Sequence, residues 1–212
     1  MNLTVVGCGK MGLPIAVQAA SRGMNVIGVD VNASVVKAIN KGNSPVDEPG
    51  VAGAVPELVK TGKLRATTDL KDAVSKSEAI IVIVPVLLTP SNEADLESVI
   101  GVAHGIGEAM KRQTIVSFET TLPVGTTRKI ILPIIEKGGL KVERDFYLVF
   151  SPERVKSNTV MDQMRKIPKV VGGAGPLSLK KGMELYGSIF ASEVVSVGTL
   201  ENAEMVKLAG MI

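Results

Sequence analysis

Val5-Val6-Gly7-Cys8-Gly9-Lys10-Met11-Gly12-Leu13-Pro14 stands near the head of this 212-residue chain, and a second apolar run, Met24 to Val29, ends on Asp30. A strand, a G-x-G-x-x-G turn, a helix, a second strand and a terminal acid, in that order, make up a dinucleotide-binding fingerprint. Gly7 permits the tight turn, Gly9 lets the backbone approach a pyrophosphate, and Gly12 lets the helix lie close to the strand. Lys10 and Met11 fill the turn between them and belong to the same expected cofactor site. The helix start then offers unpaired N–H groups and a partial positive charge to phosphates. Asp30 would accept hydrogen bonds from ribose hydroxyls and repel a 2′-phosphate. Val31-Asn32-Ala33 supplies no arginine to receive one, so NAD is expected in preference to NADP.

Outward from this start, apolar runs recur with helical segments between them: Leu3 to Val6, Met24 to Val29, Ala79 to Val84, Thr114 to Ser117 and Phe146 to Phe150. A shorter strand is expected at Leu64 to Ala66, between a Val51 to Lys60 helix and one starting at Asp69. Two more apolar pieces, Lys169 to Val171 and Glu193 to Val197, flank a helix from Pro176 to Tyr186. Continuous Val/Ile runs mark strands buried on both sides, so the expected fold is α/β, a Rossmann-type doubly wound, mainly parallel sheet with helices on both faces. The expected division is a nucleotide-binding domain over 1–198 and, over 199–212, the first part of a helix leading to a further region. The apolar face of that helix runs to the last residue, as in a chain cut from a longer one.

Hydrophobic residues make up 45% of the chain, enough for a sizeable core. A net charge of +3, with four Phe, two Tyr and no Trp, gives no basic and aromatic surface for nucleic acid. The longest apolar stretch, Ala79 to Leu88, contains Pro85 and is too short to span a bilayer; it reads as a buried strand and its exit loop, and no membrane is expected. The single cysteine and the lack of a leader-like start point to the cytoplasm. Cys8, placed in the glycine-rich turn on the pyrophosphate side, is expected to serve small apolar packing. His104 is the only histidine, on a surface or half-buried helix without ligating neighbours, and no metal is expected.

Further motifs follow in order: Glu48-Pro49-Gly50; the exit loop Val84-Pro85; Glu119-Thr120-Thr121-Leu122-Pro123-Val124-Gly125-Thr126-Thr127; Ser151-Pro152-Glu153-Arg154-Val155; Ile167-Pro168-Lys169-Val170-Val171-Gly172-Gly173; and Glu204-x-x-Lys207. Taken with the fingerprint, the series resembles the N-terminal half of the UDP-glucose/GDP-mannose dehydrogenase family across essentially the whole chain. The Pro-Glu-Arg-Val version is most similar to enzymes that oxidise UDP-N-acetylhexosamines. UDP-glucose enzymes more often have Phe-Leu after Pro-Glu and a second acid where Ser157 stands here.

The resemblance implies oxidation of a sugar C6 alcohol to a carboxylate with two NAD⁺, in a homodimeric full-length protein. It assigns catalytic roles to Thr121, Glu153 and Lys207, substrate contacts to Glu153, Arg154 and Lys207, and cofactor contacts to Val84, Pro85 and Thr121 besides the fingerprint. In the resembled mechanism a lysine and an asparagine stabilise the C6 oxyanion, and a cysteine of the C-terminal half attacks the aldehyde. Cys8 is not that nucleophile. The family asparagine falls one helical turn after the lysine, where this chain has Met211, and Val86 follows Pro85 where many members have Thr. Alternative readings are a UDP-glucose 6-dehydrogenase, a β-hydroxyacid dehydrogenase, and a non-catalytic NAD-sensing module that needs only the fingerprint and Asp30.

Overall fold

Strands β1 (Asn2–Val6) and β2 (Asn25–Val29) flank helix α1 (Gly12–Ser21) as the fingerprint requires, and they pair in parallel with Val6 opposite Val29. The chain continues through α2 (Ala33–Asn40), α3 (Val51–Lys60), β3 (Leu64–Thr67), α4 (Leu70–Ser75) and β4 (Ala79–Val82). After a short hairpin, β5 (Leu87–Leu88) and β6 (Ala94–Asp95), come α5 (Glu97–Ala109) and β7 (Ile115–Phe118). A π-helical turn at Thr127–Ile131 runs into α6 (Leu132–Glu136), followed by β8 (Tyr147–Phe150), α7 (Val160–Lys166), β9 (Lys169–Gly173), α8 (Pro176–Ile189), β10 (Val194–Thr199) and α9 (Leu200–Ala209). This computed structural model describes residues 1–155 and 158–210. The expectations placed on Ser157 and Met211 lie outside the described residues.

The main sheet has the order β10-β9-β8-β7-β4-β1-β2-β3. Alternate residues along a strand serve opposite faces, and each face has its own core. Leu3 and Val5 of β1 and Tyr147 and Val149 of β8 belong to the core under α1, α3, α7 and α8. Val6, Leu148 and Phe150 belong to the one under α4, α5, α6 and α9. The doubly wound α/β reading holds. Asn32 and Asp69 cap α2 and α4, their side chains accepting from the Ser34 and Asp72 N–H groups.

Two features differ from the sequence reading. The buried strand expected over Ala79 to Val84 stops at Val82, and the exit loop after it carries an exposed hairpin that includes Leu87 and Leu88. Pro85, which has no N–H to give to a ladder, stands at that break. The second concerns strand direction, which an apolar run does not encode. β9 pairs antiparallel with β8, Val149 opposite Gly173 and Phe150 opposite Gly172, and β10 runs parallel to β9. Carried beyond Phe150, the same register brings Lys169 alongside Glu153. The reversed strand therefore starts, rather than ends, at the carboxyl edge of β7 and β8. The connection before it is pinned by buried Glu48, whose carboxylate accepts from the Asn158 and Val160 N–H groups, each at 2.7 Å.

Candidate active site

The three fingerprint glycines are required for three different reasons. Gly7 has φ +97°, and a Cβ there would lie 2.9 Å from the Ile83 carbonyl oxygen. A Cβ on Gly12 would lie 1.8 Å from the Gly7 carbonyl oxygen, so Gly12 closes the turn upon itself as well as seating the helix. A Cβ on Gly9 would meet nothing within 4 Å, so the space beside this backbone is open for a phosphate. Asp30 braces this turn: Oδ2 accepts from the Cys8 N–H at 2.9 Å and Oδ1 from the Asn32 N–H at 2.9 Å. The Cys8 thiol does not face the pyrophosphate side. It is buried against Gly28 of β2, 3.7 Å from the Val29 carbonyl, and burial first, then the Asp30 charge, pushes it up to about 12. An inert packing thiol results. The turn thus presents an open backbone beside Gly9, closed on its other sides by Gly7 and Gly12, with the acid Asp30 at the end of β2, which fits a bound dinucleotide.

Two hollows meet at the carboxyl ends of the strands, where open α/β sheets take their ligands. One, of about 340 Å³, is lined by Gly7, Gly9, Asp30, Val31, Leu70, Val84 and Pro85 among others. The other, of about 520 Å³, is lined by Gly9 to Gly12 of the glycine-rich turn, by Val84, Pro85 and Val86, and by Glu119, Thr120, Thr121, Glu153 and Lys207. Thr121 follows β7 and Glu153 follows β8, so every residue that the resemblance assigned to cofactor or catalysis lines one or other of these spaces. Arg154 does not; its guanidinium donates to the Pro168 carbonyl instead. His104 is exposed on α5.

Glu153 is a buried carboxylate, not a solvated loop acid. Its Oε1 accepts from the N–H groups of Arg154 (2.8 Å) and Val155 (3.0 Å), and its Oε2 accepts from Lys169 Nζ at 3.0 Å. Burial alone would raise this carboxyl; the Lys169 charge and the two N–H groups outweigh it and hold it below the usual carboxylate range. Lys169 also donates to Glu119 Oε2 at 2.6 Å. Glu119 is fully buried, and desolvation, opposed by Lys169, pushes it up to about 7. Tyr186 OH lies 2.7 Å from Glu119 Oε1 and 2.7 Å from Ser117 Oγ. Lys207, half-buried on α9, donates to the Glu153 backbone carbonyl, and desolvation holds its ammonium below the ordinary lysine range.

α9 is held in place by an acid, Glu204, to which the Glu204-x-x-Lys207 spacing alone gives no role. The buried Glu204 carboxylate accepts from Gly125 N at 2.5 Å, Thr127 N at 2.8 Å and Thr127 Oγ1 at 2.6 Å. This clasp joins the loop carrying Thr121 to the helix carrying Lys207. Glu119 and Lys169 likewise stand in the sequence only as members of motifs. The signal available for them was a lysine opening an otherwise apolar strand and a glutamate closing another, since a charge in such a place needs a partner.

The family model described as "UDP-glucose/GDP-mannose dehydrogenase family, NAD binding domain" matches residues 1–190. A UDP-N-acetyl-D-mannosamine dehydrogenase of Escherichia coli (strain K12) is 34% identical over 214 residues, covering 98% of this chain and 50% of the relative. A GDP-mannose 6-dehydrogenase of Azotobacter vinelandii is 33% identical over 213 residues, covering 98% and 48%. Among solved structures, a UDP-D-ManNAc dehydrogenase from Pyrococcus horikoshii superposes with a TM-score of 0.93 at 31% identity, over 98% of this chain and 49% of that one. The chain therefore spans about half the length of the relatives it matches.

Proposed function

The chain belongs to the UDP-glucose/GDP-mannose dehydrogenase family as its NAD-binding domain, and from that premise we propose that it is the cofactor half of a nucleotide-sugar 6-dehydrogenase acting on a UDP-N-acetylhexosamine. The observation that supports this reading is the shared cleft, lined by Thr121, Glu153 and Lys207 from three separate elements together with the glycine-rich turn. A module that only sensed NAD would need none of the three. The Pro-Glu-Arg-Val segment supports an N-acetylmannosamine or N-acetylglucosamine sugar over glucose, and the likeness to a UDP-N-acetyl-D-mannosamine dehydrogenase supports the first of these.

When bound, NAD⁺ supplies the hydride acceptor, held by Gly7, Gly9, Gly12 and Asp30. Lys207, an ammonium whose lowered affinity for its proton comes from desolvation, stabilises developing negative charge on the sugar C6 oxygen. Glu153 is poised as a carboxylate to orient water and take up a proton, with Thr121 as a further contact, whereas Arg154, bound to the Pro168 carbonyl outside the cleft, is left without a part in it. The nucleophilic cysteine and the rest of the sugar pocket are assigned to a region outside these 212 residues, as is the contact that makes a homodimer. The cytoplasm remains the proposed compartment; no helix of the described residues is long and apolar enough to cross a membrane.

The cofactor side predicts that NADH binds more tightly than NADPH and that Asp30→Ala weakens NADH by about 1–3 kcal/mol, the cost of an unmatched polar partner. Calorimetric titration with both nucleotides measures this, and equal or tighter NADPH binding would contradict it. For the reaction, the chain alone is expected to yield no steady NADH from UDP-N-acetylmannosamine and NAD⁺, because the nucleophile is absent. The protein made with the sugar-binding half should turn over, with UDP-N-acetylhexosamines ahead of UDP-glucose and GDP-mannose in kcat/KM. A panel in which UDP-glucose ranks first would overturn the substrate choice.

A further inference from the structure

From the cleft wall inward lies a buried set of groups that no step above uses. Glu119, Lys169 and Tyr186 come from β7's end, β9's start and α8, and with Glu153 they form one hydrogen-bonded unit reaching Ser117. Side-chain exposure is 0% for Glu119, 6% for Lys169 and 7% for Glu153, so solvent does little to screen them. Two carboxylates facing one ammonium leave an excess negative charge unless one acid keeps its proton, because an uncompensated buried charge is costly.

Geometry decides which acid that is. Every group bonded to the Glu153 carboxylate is an obligate donor: two backbone N–H groups and an ammonium. Glu119 meets only one such donor, Lys169; its other oxygen meets the Tyr186 hydroxyl, which can turn to donate or accept and has the Ser117 hydroxyl behind it. The other charged groups around the cluster are cations at its rim. Lys207 of α9 donates to the Glu153 carbonyl rather than its carboxylate, and Arg154 is turned to Pro168.

We propose that Lys169 and Glu119 are positioning residues for Glu153: Lys169 keeps the Glu153 carboxylate ionised and fixed at the cleft wall, while Glu119, backed by Tyr186 and Ser117, keeps the proton that balances the buried charge. The consequence for catalysis rests on the role proposed above for Glu153, whereas the distribution of charge does not. The antiparallel β9 is what makes the arrangement possible, since a parallel β9 would carry Lys169 to the far end of the sheet.

The test is a carbon-13 NMR titration of labelled glutamates in the full chain from about pH 5 to about pH 9. Glu119 is expected to titrate near neutrality and Glu153 to stay ionised throughout. Lys169→Met should raise the Glu153 midpoint by at least about one pH unit, and Lys169→Arg should restore it. Glu119→Gln, nearly isosteric and able to keep its place beside Tyr186, should erase the near-neutral titration and leave Glu153 ionised; it decides the matter even if Lys169→Met does not fold. An unmoved Glu153 midpoint in a folded Lys169→Met, or a near-neutral titration that persists on Glu153 in Glu119→Gln, overturns the proposal. No sugar nucleotide enters these titrations, so they stand or fall separately from the turnover panel.

Discussion

Gly12→Ala is expected to abolish NADH binding and to lower stability by about 3 kcal/mol or more, the largest effect of any single methyl group added to this chain's cofactor turn. The added Cβ would sit 1.8 Å from the Gly7 carbonyl oxygen and 2.8 Å from Ile83 Cγ2, and neither the backbone of a closed turn nor a packed isoleucine has room to retreat. Gly9→Ala is the informative contrast. Its Cβ meets nothing within 4 Å, so the protein should fold with nearly unchanged urea midpoint yet bind NADH more weakly, because the methyl stands where a phosphate must approach the backbone. Urea melts and NADH titrations on the two variants check this; equal loss of stability in both would mean that the turn is not built as described.

Lys207→Ala, in the protein carrying its sugar-binding half, is expected to lower kcat by a factor on the order of 10²–10³ while raising the substrate KM far less. An ammonium beside the C6 oxygen matters most when that oxygen bears charge, so its removal is felt in the transition state. NADH affinity should hardly move, since Gly7 and Asp30 line the hollow that Lys207 does not reach. Helix placement should survive as well, because Glu204 clasps Gly125 and Thr127 independently of the lysine. Stopped-flow and steady-state kinetics measure the split between kcat and KM. A near-normal kcat would make Lys207 an ordinary residue of the helix.

Much of the architecture was legible because buried strands and the glycine turn are local signals. Val5 to Pro14 with Asp30 specified the first β-α-β unit, and the Val/Ile runs located β4, β7 and β8 to within a residue or two. What stayed hidden depends on contacts between residues far apart in sequence. The reversal of β9 leaves no mark in Lys169-Val170-Val171, although it decides that Lys169 meets Glu119 and Glu153. Likewise, Glu119 reads as the first residue of a turn, and only pairing of β7 between β4 and β8 reveals that its carboxylate is enclosed. Glu204 shows the same limit: a glutamate on a helix looks solvated until the loop at Gly125 is seen folded over it. The exposed Leu87 and Leu88 are the converse case, apolar residues that composition assigned to the vicinity of a buried strand and that Pro85 separates from it.

In the proposed reading this NAD-binding domain, which brings Glu153, Thr121 and Lys207 into one cleft with the glycine turn, serves a twofold oxidation at sugar C6. Its most direct test is the stoichiometry of NADH formed per UDP-N-acetylmannosamine consumed by the protein with its sugar-binding half, followed by absorbance and with the product identified by mass spectrometry. Two NADH per sugar and a uronic acid product are predicted. One NADH per sugar with an aldehyde or ketone product, or no NADH from any nucleotide sugar, would contradict it.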